Sequence, residues 1–103
     1  MPPRLAERKE TIVAIARYIH PKSMTSEQYD EVRKRLEAQG IGTPKGRTYH
    51  ACFGQSPNLM VFDVWDSPEE LDAYWQRVLP ILSAIGIDSG EPQIMPLQNA
   101  IVG

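Results

Sequence analysis

The stretch Leu59–Leu82, LMVFDVWDSPEELDAYWQRVLPIL, decides the fold, because its periodicity changes halfway along. Leu59 to Asp66 is rich in β-branched and aromatic residues, which pack well on a pleated surface, and it reads as a strand. Ser67 then has the character of an N-cap, Pro68 suits the first helical position, and Glu70 completes a capping box. From there Leu71, Tyr74, Trp75, Val78, Leu79, Leu82 and Ile85 form one apolar stripe at helical spacing. Pro80 lies inside that stripe and predicts a kink or a split, because it removes a backbone donor. Gly86 ends the helix.

Working outward, Arg47 to Gly54, RTYHACFG, is a second strand, joined to the first by the turn residues GQSPN. Upstream, Thr11 to Ile19, TIVAIARYI, is a strand that Pro21 terminates. A helix begins at Thr25, whose spacing to Gln28 is that of a capping box, with Tyr29, Val32 and Leu36 on its apolar side. Gly40 stops it, and IGTPKG is a loop. Downstream, EPQIMPLQNAIVG carries two prolines and reads as an edge strand. Residues 1–10 lack periodicity and read as a tail, so a single domain over 11–103 is expected.

The resulting order is β-α-β-β-α-β. Its low-cost solution is an α+β ferredoxin-like fold, a four-stranded antiparallel sheet with strands one and three central and two helices on one face. Both faces of the central strands are apolar: Ile12, Ala14 and Ala16 alternate with Val13, Ile15 and Ile19, and Leu59, Val61 and Trp65 with Met60, Phe62 and Val64. The face without helices needs cover, and a homodimer through that face is the simplest.

Composition narrows the partners. The chain has 103 residues, 42% hydrophobic and 23% charged, with a formal net charge of -2, which excludes a disordered chain and makes nucleic acid an unexpected partner. No apolar run reaches the roughly 20 residues that span a membrane. The single cysteine, Cys52, forms no internal disulfide, and with no signal-peptide pattern at the start, a reducing cytoplasm is the expected setting. Two histidines thirty positions apart make no recognisable metal-ligand set.

The stretches Ala16–Gly40, ARYIHPKSMTSEQYDEVRKRLEAQG, and Leu59–Leu82 resemble the dimeric α+β barrel proteins, which include antibiotic-biosynthesis and haem-degrading monooxygenases. The resemblance covers about Thr11 to Val102 and is one of architecture. It implies two sheets closing into a barrel in a homodimer, with a ligand pocket between sheet and helices in each subunit. Haem degradation in that group uses a helical histidine, whereas His20 falls in a loop here and His50 in a strand. The antibiotic-type enzymes need no metal or flavin, so no cofactor is expected.

The candidate chemistry lies in the hairpin. Strict alternation puts Arg47, Tyr49, Ala51 and Phe53 on one face of their strand and Thr48, His50 and Cys52 on the other. A loop from Gln55 to Asn58 sets His50 opposite Asp63, and slipping it by one residue sets Tyr49 there instead. A His50–Asp63 pair is either a plain cross-strand contact or a catalytic base with its orienting carboxylate. Tyr18, Tyr49, Trp65, Tyr74 and Trp75 are candidate ligand-binding aromatics or simply core, and Arg17 is a candidate anion contact. Three functions follow as expectations: a pocket for a small hydrophobic or aromatic ligand, a cofactor-independent monooxygenase of aromatic or polyketide-like substrates, or a dimerisation module without catalysis.

Overall fold

The computed structural model describes residues 13–103, so the tail at 1–10, Thr11 and Ile12 lie outside the described residues. The elements are β1 (Ile15–Ile19), α1 (Ser26–Ala38), β2 (Arg47–Phe53), β3 (Met60–Trp65), α2 (Pro68–Ile85) and β4 (Gln93–Pro96). They form one antiparallel sheet in the order β2-β3-β1-β4, with β1 and β3 central as expected.

The helix starts follow from their caps. The Thr25 hydroxyl accepts from the Gln28 N–H while the Gln28 side chain accepts from the Thr25 N–H, a complete capping box. At α2 the Ser67 hydroxyl accepts from the Glu70 N–H, but the Glu70 carboxylate accepts a hydrogen bond from the Ser67 hydroxyl instead of from the backbone, so only half of the expected box forms. Gly86 closes α2 with φ at 89°, a left-handed conformation that costs glycine nothing.

Three expectations are corrected. β1 begins at Ile15, later than Thr11, since residues 13 and 14 are not in the strand. α2 is not split at Pro80, which sits on the exposed side, where water can bond the carbonyl that lacks its N–H donor. The C-terminal strand is limited to Gln93–Pro96, at the sheet edge.

Strand register decides what lies where. Arg17 pairs with Asp63 and Ile15 with Trp65 across β1 and β3, while His50 pairs with Asp63 and Cys52 with Val61 across β2 and β3. The residues of this set share the helix-side face. Ile15, Ile19, Val61 and Trp65 join Val32 and Leu36 of α1 and Leu71, Tyr74, Val78 and Leu82 of α2 in the core. Fully burying each such side chain stabilises by roughly 1.5–3 kcal/mol. Tyr18, Tyr49, Phe53, Phe62 and Met95 share the opposite face. Tyr49 is 56% exposed, Phe53 42% and Met95 52%, and no described element covers them.

The pairing also carries a bulge: Arg47 stands opposite Trp65 and Tyr49 opposite Val64, leaving Thr48 as an extra residue. Arg47 therefore shares the helix-side face with His50, and not the outer face with Tyr49 as strict alternation predicts. The bulge sits at the start of an edge strand, a common position for such insertions.

Candidate functional site

Four polar side chains form a continuous row beneath the helices. Arg17, Asp63 and His50 come from adjacent strands at matched register, which is why residues far apart in sequence meet. The Arg17 Nη2 donates to Asp63 Oδ2 at 2.7 Å, and Asp63 is 0% exposed. On the other side, His50 Nδ1 lies 3.6 Å from Asp63 Oδ1, too long for a hydrogen bond, and neither atom has another partner. The Tyr29 hydroxyl, from α1, meets His50 Nε2 at 2.6 Å, and the two rings are parallel with centroids 6.1 Å apart. At the other end the Arg17 guanidinium lies over the Trp75 ring, 4.9 Å from its centroid.

Both ring nitrogens of His50 face a polar group, Nε2 the Tyr29 hydroxyl within hydrogen-bond distance and Nδ1 the Asp63 carboxylate beyond it. Burial pushes the Tyr29 phenol above its ordinary pKa, helped most by the nearby Cys52, so it stays a donor. Burial also pushes the Tyr74 phenol up and pulls the Arg17 guanidinium down, the latter opposed by the Asp63 carboxylate. The Cys52 thiol is raised by burial, the environment of an inert cysteine.

Over this row lies a cavity of about 400 Å³ between the sheet and both helices. Arg17, Tyr29, His50, Tyr74 and Trp75 line it with Arg47, amid apolar walls that include Val32, Val61, Val78 and Leu82. A smaller cavity, of about 270 Å³, lies towards β4 and shares Arg17 and Trp75 with the first. The sites expected from sequence divide accordingly. His50, Arg17, Tyr74 and Trp75 line the larger cavity. Asp63 lies beneath it, as does Trp65, which is fully buried with its ring 5.1 Å from that of Tyr74. Tyr18 and Tyr49 point to the outer face and line neither cavity, because β-strand alternation puts them on the opposite side from Arg17 and His50. Tyr18 instead donates to Met60 Sδ at 3.1 Å.

Two lining residues escaped the sequence reading. Tyr29 sits on the apolar side of α1, where helical spacing marks it only as core. Arg47 is turned inward by the Thr48 bulge, which no periodicity signals. Its Nη2 donates to the Gly42 carbonyl at 3.2 Å and its Nη1 to the Tyr74 hydroxyl at 3.5 Å.

Among the described residues no three His, Cys, Asp or Glu side chains gather to hold a metal ion, and no helix is long and apolar enough to cross a membrane.

No family model matches the chain, and no curated protein matches it significantly. Solved structures do. A Nitrosomonas europaea protein of unknown function superposes with a TM-score of 0.62 at 17% identity, covering 90% of this chain and 97% of that one. SnoaB, a cofactor-independent oxygenase from Streptomyces nogalater, gives 0.56 at 15% identity, covering 86% and 95%. A monooxygenase from the gene ActVA-Orf6 of Streptomyces coelicolor, in complex with nanaomycin D, gives 0.53 at 13% identity, covering 91% and 95%. The chain has the α+β ferredoxin-like fold of the antibiotic-biosynthesis-monooxygenase-like proteins.

Proposed function

We propose that the cavity between sheet and helices binds a hydroxylated aromatic small molecule, with its hydroxyl against Tyr29 and His50. The observation behind this reading is that the Tyr29–His50–Asp63–Arg17 row borders a cavity of about 400 Å³ with apolar walls from Val32, Val61, Val78 and Leu82. A few convergent polar groups in a mostly apolar cavity are the usual make-up of a small-molecule site. Titration with 2-naphthol, followed by amide NMR, tests it. Saturable shifts at Val32, Val78 and Tyr29 are expected, and the absence of saturable binding rejects the reading.

A second reading is catalytic, and the unpartnered facing atoms His50 Nδ1 and Asp63 Oδ1 favour it. As the ligand hydroxyl passes its proton to the Tyr29 oxygen, Tyr29 passes its own to His50 Nε2. The burial that disfavours a Tyr29 phenolate is respected, since that oxygen never carries net charge. The imidazolium is then stabilised by Asp63. The resulting phenolate reduces dioxygen without a cofactor: a ring C–H carbon becomes C=O with one oxygen atom, and the other leaves as water, which takes the ring hydrogen and the proton that the imidazolium returns. SnoaB, described as a cofactor-independent oxygenase, shares the fold. Oxygen consumption with candidate phenols is expected to fall in His50→Ala, and equal rates in both proteins remove His50 from the mechanism.

The functional unit we propose is a homodimer whose partner copy covers the outer face, where Tyr49 and Phe53 are exposed. Sedimentation over a range of concentrations distinguishes it from a monomer.

A further inference from the structure

The charges around the larger cavity do not balance. Arg17, Arg33 and Arg47 line it, with Glu37 as the one carboxylate in its wall among the described residues. Arg17 is matched by Asp63 at 2.7 Å beneath the cavity, and Arg33 lies 3.9 Å from Glu37 on the same helix. Arg47 enters no ion pair among the described residues. Its two partners, the Gly42 carbonyl and the Tyr74 hydroxyl, are neutral. Glu70, packed against Gly46 beside it, holds the Ser67 hydroxyl instead. The Arg47 guanidinium lies over the Tyr74 ring, 5.8 Å from its centroid, so the side chain is held at the cavity and not free in water.

A regular strand would put Arg47 on the outer face, and the Thr48 bulge is what turns it inward. A guanidinium offers five donors in a planar fork that matches a carboxylate with two parallel bonds, and neutral partners leave most of that capacity unused.

We propose that Arg47 is the anion anchor of this cavity, and that its ligand is an aromatic hydroxy acid whose carboxylate pairs with Arg47. The inference rests on the proposed small-molecule site and narrows its ligand class. It makes Arg47 a specificity residue: its charge selects acids, while the Tyr29–His50 end receives the hydroxyl.

Two probes with the same ring and hydroxyl separate the claims: 6-hydroxy-2-naphthoate and 2-naphthol, each titrated against the wild-type chain, Arg47→Gln and Arg47→Lys. The wild type is expected to bind the acid about tenfold or more tightly than the naphthol, the factor associated with a hydrogen bond to a charged group. Arg47→Gln should lose that preference, binding the acid no more tightly than it binds 2-naphthol, and a cooperative urea unfolding transition shows that the variant is folded. Arg47→Lys should keep part of the preference. Equal affinities in the wild type, or a preference that survives Arg47→Gln, overturn the anchor while leaving the cavity reading intact. If neither probe binds, the cavity reading falls and the anchor with it.

Discussion

The two faces of the sheet are made from alternate residues of the same strands, and in sequence they look almost equally apolar. In three dimensions they differ in kind. The helix-side face buries Arg17, Asp63 and part of His50 among Ile15, Val61 and Trp65. The outer face carries Tyr18, Tyr49, Phe53 and Met95, with no buried ion pair and no covering helix among the described residues. Apolar content therefore says how much of a strand wants to leave water, while the few polar residues say which side holds chemistry. A charge is kept in a core only where a partner at matched register meets it.

The sharpest way to break this contrast is Asp63→Ala. It leaves the Arg17 guanidinium buried and unpaired, and a loss of about 3–5 kcal/mol in urea unfolding is expected. Replacing both, as Arg17→Met with Asp63→Leu, should recover most of that loss, and a double variant as unstable as Asp63→Ala would show that the loss does not come from the unpaired Arg17 charge. Loosening the cover of the inner face is milder. Ser67→Ala removes the N-cap of α2 and should cost about 1 kcal/mol by the same measurement. On the outer face Tyr49→Lys should change unfolding of the dilute chain by no more than about 0.5 kcal/mol. It should nevertheless weaken self-association in sedimentation, and unchanged association would place the dimer contact elsewhere.

The smallest effect is set by pH. Tyr29 and Tyr74 have raised phenol pKa values, burial being the main cause. The folded chain thus holds protons that the unfolded chain releases above about pH 10, the ordinary tyrosine value. Their contribution is fully present below that pH and is lost as the pH rises beyond it. Unfolding midpoints from pH 9 to 11 should fall more steeply for the wild type than for Tyr29→Phe, and identical slopes would show that Tyr29 titrates alike in both states.

The sequence carried the architecture because each level of local signal agreed. Capping residues at Thr25 and Ser67, the stripe from Leu71 to Ile85 and the turn residues at 54–58 all favour one element order. The His50–Asp63 register was one of the two that the hairpin loop allowed, and the structure adopts it rather than the one with Tyr49 opposite Asp63. What remained hidden depends on contacts between distant segments. The Arg17–Asp63 pair needs the β1–β3 register, and Tyr29 reaches His50 only once α1 packs on the sheet. Arg47 was misplaced because one inserted residue reverses parity without changing the apolar pattern around it.

The brevity of β4 has a consequence for behaviour in a crowded solution. Its four residues are all exposed, Pro92 precedes them and Pro96 ends them. A proline offers no N–H to an incoming strand, so this rim can template only a short ladder. Edge-to-edge pairing through this rim is thus limited to a few residues, and the longer edge of the sheet is β2 on the opposite side.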